Sequence, residues 1–201
     1  MLSSIHPLGE RGRRNHFSTT ATAFTLGSAV GGAFTGLLLG SIGAAVNLVP
    51  LVAGDRRRLV AVAVVAVIAV FFDLSGRALP SVRRQVNEDW MGAFRGWVYG
   101  AGFGFQLGAG ITTYITSAAV LLWLFTMVAV GSIPAAVLIG VTFGAVRGSS
   151  ILFARSITTP DRLVDFHRRL HASVPRIRLA TRAALIILAV ATAGLALTGA
   201  P

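Results

Sequence analysis

The sequence predicts an all-α, polytopic helical membrane protein, and three observations carry that prediction. Of the 201 residues, 54% are hydrophobic and only 12% are charged, with a mean hydropathy of +0.75. A soluble domain carries about twice that charged fraction. The apolar residues come in runs that match the roughly 20 residues a helix needs to cross a bilayer, and one uncharged stretch extends from Gly96 to Val146. Positive charge is clustered between those runs, with Arg147 the exception. The net charge is +11, and all 18 basic residues are arginine.

Arginine clusters that flank apolar runs fix orientation and meet anionic lipid headgroups, so the bilayer surface is the expected partner. No nucleic-acid-binding motif accompanies them, and nucleic acid is not expected. The chain has no cysteine, which excludes disulfides, thiol redox chemistry, iron–sulfur ligation and thiolate metal sites. A basic cytoplasmic segment, 1–17, precedes one membrane domain, 18–199. The arginines at 11, 13 and 14 followed by apolar sequence superficially resemble a signal peptide. The apolar part is much longer than the roughly 7–15 residues of a signal core, so it reads as the first span.

About five spans are expected. The first, 18–46, carries Gly27 and Gly31, then Gly32, Gly36 and Gly40, at four-residue steps that place small residues on a helix face and let another backbone approach. It is long enough that it must tilt, bend or break, and 18–54 reads either as one span or as a span plus a re-entrant segment. Gly54-Asp-Arg-Arg-Arg58 is a charged loop, and the second span, 59–75, is rich in Ala, Val and Ile, with Asp73 near its end. The mixed-charge loop 76–95 holds Trp90, and Trp97 follows just beyond it; tryptophans favour the headgroup level. The third span, 96–127, is discussed below. A turn at Gly131-Ser-Ile-Pro134 leads to the fourth, 134–154, with Gly140, Gly144 and Gly148 in steps of four and Arg147 near enough to its end to snorkel outward. In the cytoplasmic loop 155–182, Thr159 and Pro160 open an amphipathic surface helix with Leu163, Phe166 and Leu170 on one side. The fifth span is 183–197.

With the N-terminus cytoplasmic, the inner segments 1–16, 76–95 and 155–182 hold most of the arginine, and only Arg56–Arg58 depart from the positive-inside bias. This gives a multi-pass protein of the inner or plasma membrane. The glycine-bearing first span and the arginine-led second are matched in order by the last two spans. An odd number of spans separates the copies, so the repeat is inverted, and inverted repeats frame a central site.

Phe24-Thr-Leu-Gly-Ser-Ala-Val-Gly-Gly-Ala-Phe-Thr-Gly-Leu-Leu-Leu-Gly-Ser-Ile-Gly43, the arginine loop and Leu59–Ser75 resemble the second and third helices of CcdA/DsbD-type membrane proteins. The stretch Gly96–Ala118 resembles that family's glycine-rich fourth helix. The resemblance spans about 18–199 and implies two inverted three-helix repeats, kinship with LysE-like exporters and movement of reducing equivalents across the membrane. The sequence departs from the family in lacking a first helix, of which Leu2–Leu8 is the candidate remnant. It also has neither proline nor cysteine near Phe105–Leu107, where the family carries that pair. Disulfide exchange needs a thiolate, so the resemblance carries over the fold and not the redox activity.

The third span concentrates the unusual chemistry. Gly96, Gly100, Gly104 and Gly108 recur every fourth residue, and Gly102 and Gly110 add further weakness. Glycine lowers the cost of opening the helix, and transporters hold substrate at helices interrupted at mid-membrane. Gly104, Gln106, Gly108, Thr112, Thr113 and Thr116 are therefore the candidate solute-binding residues. Gly27, Gly31, Gly36, Gly40, Gly96, Gly100, Gly140 and Gly144 are the candidate helix-packing positions. His167 and His171 share a helix face, but no carboxylate completes a metal site around them, and no metal or other cofactor is expected. No acid lies mid-span, which argues against a carboxylate proton relay or a hard-cation path; no nucleotide-binding motif, nucleophile elbow or paired carboxylate is present, so an enzyme is not expected. Two functions stay open. One is a LysE/CcdA-like transporter or exporter subunit for a small solute. The other is a membrane assembly or scaffold protein whose glycine faces bind a partner's helices. Five spans are few for a pathway, so the first also implies a homo-oligomer or another membrane protein as partner.

Overall fold

The computed structural model describes residues 4–46, 54–75, 89–110 and 117–198, and among them every regular element is helical. The elements are α1 (Pro7–Gly12), α2 (Phe17–Val46), α3 (Asp55–Ser75), α4 (Trp90–Ala93), α5 (Gly96–Ala109), α6 (Ala118–Ala129), α7 (Ile133–Ser149), a 3₁₀ segment (Ser150–Ser156) and α8 (Pro160–Thr198). Among the described residues, four helical stretches are long and apolar enough to cross a membrane: Phe17–Val46, Asp55–Ser75, Ile133–Ser156 and Pro160–Thr198. They carry large apolar side chains outward, with Val67 57% exposed and Val190 68% exposed. Such surface is stable against lipid and not against water. The protein is an all-α polytopic membrane protein.

Three expected elements differ in form, the first being the charged loop Gly54–Arg58, which from Asp55 onward is the opening turn of α3. The stretch 96–127 holds two shorter helices, α5 and α6, which is why four helices of spanning length are found where about five spans were expected. The loop 155–182, from Pro160 onward, and the span 183–197 are instead joined in one helix, α8, with Pro175 inside it. Its start is as the sequence predicts: the Thr159 hydroxyl accepts the Arg162 amide at 3.4 Å. It does not stop at Pro175 because no glycine or turn residue follows; arginine, leucine and alanine, all good helix formers, carry it through. At 1.5 Å per residue it is about 58 Å long, nearly twice the hydrocarbon thickness.

The chain divides into two compact units. The first comprises Met1–Thr35, Arg83–Thr113 and Gly140–Val174, around a core of Ile5, Ala21, Phe24, Tyr99, Phe103 and Ile151. Its helices meet backbone to backbone. A Cβ at Gly27 or Gly31 of α2 would fall within 3.0 Å of the backbone of Ala101 or Phe105 in α5, and one at Gly104 or Gly108 would strike Phe24 or Ser28 in return. On α7, Gly140 and Gly144 play the same part toward Gly32 and Ser28 of α2. The Ser28 hydroxyl adds a hydrogen bond to the Gly144 carbonyl at 2.6 Å. Glycine at these positions permits the close approach that drives helix association in lipid.

The second unit comprises Gly36–Val82, Tyr114–Ile139 and Pro175–Pro201. Ala66 and Ala69 of α3, Ala118 and Leu122 of α6, and Leu185 and Ala189 of α8 form its core. Gly36 and Gly40 lie against Ala136 of α7. Asp73, 14% exposed, ties the three core helices together: Arg182 Nε is 3.5 Å from its carboxylate, and the Ser117 hydroxyl donates to it at 3.2 Å. Ser117 in turn caps α6 by accepting the Ala119 amide at 3.2 Å. By sequence Asp73 suits an interfacial role; in the fold its carboxylate serves as a junction of helices.

Candidate functional site

The first unit contains a helix end within the apolar run. α5 stops at Gly110, whose φ of +69° is a left-handed conformation that glycine adopts without steric penalty and that closes helices at this position. The Gly110 amide bonds the Leu107 carbonyl at 3.3 Å. Open carbonyls at a helix end carry partial negative charge and, in lipid, must be met by protein groups. Two side chains meet them here. Arg147 Nη1 donates to the Leu107 carbonyl at 3.0 Å, and the Thr35 hydroxyl donates to the Ala109 carbonyl at 2.9 Å. The Arg147 guanidinium also lies over the Phe143 ring, 5.4 Å from its centroid, a distance at which a cation is attracted by the ring. The sequence places Arg147 within snorkelling reach of the headgroups. In the fold it donates to the α5 end, sharing the Leu107 carbonyl with the Gly110 amide.

Of the sequence-predicted solute residues, Gln106 is half-buried on α5, one turn before this end. Gly104 and Gly108 are buried against the α2 backbone, so the glycine side of α5 holds a helix. Thr112, Thr113 and Thr116 lie outside the described residues. Among the expected packing positions, Gly96 and Gly100 leave room for Thr20, whose atoms a Cβ at either would strike.

That room brings together a cluster sequence reasoning missed. Glu10 of α1 is fully buried. The Tyr99 hydroxyl lies 2.5 and 2.6 Å from its two oxygens, the Thr20 hydroxyl donates to one at 2.7 Å, and Arg13 forms an ion pair with the other at 3.1 Å. Asn15 donates to the Tyr99 oxygen at 3.3 Å. Burying a carboxyl group without partners costs several kcal/mol; here both oxygens are met from α1, α2 and α5. His6 starts α1 by accepting the Gly9 amide at 3.1 Å, which turns Glu10 inward. The one available signal was a lone glutamate among arginines, ahead of a span, with a lone tyrosine in the first half of the glycine run.

The N-terminal segment therefore packs where the sequence reads as a polar tail. The Leu8 amide also bonds the Ile157 carbonyl at 3.1 Å, and Asn15 accepts the Gly96 amide at 3.4 Å. His167 Nδ1 is 2.8 Å from the Leu163 carbonyl of its own helix, and His171 is exposed. Comparison with protein-family models, curated proteins and solved structures finds no match for this chain.

Proposed function

We propose that this protein is a subunit of a membrane transporter or exporter for a small polar solute. In this reading it follows the LysE/CcdA-like plan its sequence resembles, works without thiol redox activity or other enzymatic chemistry, and sits in the cell membrane with its N-terminus cytoplasmic. The observation that carries the reading is the end of α5 at Gly110. Interrupted membrane helices expose oriented carbonyls and amides that replace a solute's water, and Arg147, Thr35 and Gln106 add polar groups to that stretch. Arg147 favours a solute with an oxygen acceptor. A path of this size calls for a second copy or another membrane subunit.

The orientation is supported by contacts in the first unit. Leu8 with Ile157 and Asn15 with Gly96 gather at one end three segments bearing Arg11–Arg14, Arg95 and Arg155, as the positive-inside bias requires of a cytoplasmic face. By sequence, the scaffold alternative offers glycine faces to a partner. Gly27, Gly31, Gly36, Gly104, Gly108 and Gly144 lie against this chain's own helices, so in that alternative a partner docks on other faces.

The absence of cysteine makes the test direct. A Gln106→Cys variant carries a single thiol and is exposed in sealed vesicles to a charged thiol reagent that cannot cross lipid. The transport reading expects labelling of Gln106→Cys and none of Val67→Cys, which lies on a lipid-facing part of α3. Failure of both to label contradicts a hydrated path at α5.

A further inference from the structure

Arg56, Arg57 and Arg58 are the exception to the charge bias, and the transport reading gives them no role. Two of them have one in the second unit. Arg56 Nε donates to the Ala196 carbonyl near the end of α8 at 3.1 Å. Arg58, whose side chain is 23% exposed, lines a cleft of about 340 Å³ together with Asp55 and Thr126, and the remaining walls are apolar: Leu59 and Val62 of α3, Ala129 of α6, Val130 and Leu195. The Thr126 hydroxyl donates to the Leu122 carbonyl of its own helix at 2.8 Å. The acidic partner of Arg58 is Asp55 at 3.2 Å, whose side chain is 89% exposed. Ion pairs with a solvated member contribute little and exchange readily.

The cleft thus combines one half-sheltered guanidinium with an apolar groove, at a volume within the range of small-molecule sites. Guanidinium matches phosphate through paired N–H donors, and the apolar wall matches an acyl chain. In a bilayer the molecule that carries both is an anionic phospholipid. We infer that this cleft binds one anionic phospholipid, with its phosphate on Arg58 in place of the Asp55 carboxylate and an acyl chain along Leu59, Val62, Ala129 and Leu195. Two of the arginines that break the charge bias then have roles, Arg58 in lipid binding and Arg56 in holding the α8 end.

The test is native mass spectrometry of the full-length protein released from nanodiscs of phosphatidylcholine doped with phosphatidylglycerol. One phosphatidylglycerol should remain on each wild-type chain and on Arg162→Gln, a control at an exposed arginine of α8. It should be lost from Arg58→Gln and from Ala129→Phe, which keeps the charge and blocks the groove. If Arg58→Gln does not insert, Ala129→Phe alone decides. Retention of phosphatidylglycerol by Ala129→Phe, or equal retention of the two lipids by the wild type, overturns the inference.

Discussion

Replacing Gly108 with alanine places a Cβ against the Ser28 carbonyl carbon, oxygen and Cα, all closer than 3.0 Å. All three are backbone atoms of α2, so no side chain can rotate away and the two helices must separate. Overpacking of this kind costs about 1–3 kcal/mol, and a rigid backbone neighbour puts it near the top of that range. Alanine returns about 1 kcal/mol of helix propensity. The expected net loss is about 2 kcal/mol, roughly 30-fold in the unfolding equilibrium. Gly194 of α8 is the matched control: nothing lies within 4 Å of the point where its Cβ would stand, so the same substitution there keeps the propensity gain and stabilises by up to about 1 kcal/mol. Titration with a denaturing detergent in bicelles, followed by tryptophan fluorescence, reads both. Opposite signs are expected, and a Gly108→Ala variant stabilised as much as Gly194→Ala would refute the backbone contact between α2 and α5.

Two other perturbations probe the side-chain junctions. Glu10→Ala leaves the Tyr99 and Thr20 hydroxyls and Arg13 without their shared acceptor; a buried polar group left unsatisfied costs about 1–3 kcal/mol, and α1 should detach. Trypsin should then cut at Arg11–Arg14 much faster than in the wild type, and an unchanged rate would show that Glu10 does not hold the segment. Asp73→Asn and Arg182→Gln should each destabilise the second unit. Because Arg182 is more than a third exposed, their coupling in a double-mutant cycle should stay near about 1 kcal/mol. A coupling indistinguishable from zero would mean that the ion pair does not join α3 to α8.

Helical class and membrane residence are legible in the sequence because both follow from composition and run length, which no tertiary detail overrides. The four-residue glycine steps are equally legible as smooth faces, but a smooth face does not say what covers it. Gly104 and Gly108 therefore read as a solute surface, whereas the α2 backbone fills that side. The weakness of the glycine run points to an opened helix, and α5 ends at Gly110 by the left-handed turn that residue allows. Glu10 is not legible: its burial depends on Tyr99, far along the chain, and on the space left by Gly96 and Gly100. Nor is the continuity of α8, since a proline in a basic stretch reads locally as a stop. Arg147 misleads for a similar reason. Distance to the helix end favours snorkelling, and only the fold presents the Leu107 carbonyl as a partner.

Transport by this protein stands or falls on whether a small solute is held where α5 ends. Native mass spectrometry of the wild type and of Arg147→Gln, released from nanodiscs formed directly from the host membrane, decides the point. A small non-lipid mass should be bound to the wild type, on a homodimer or with a partner subunit, and should be lost from Arg147→Gln. A wild-type protein carrying only lipid, or the same mass on both variants, would contradict solute binding at this helix end.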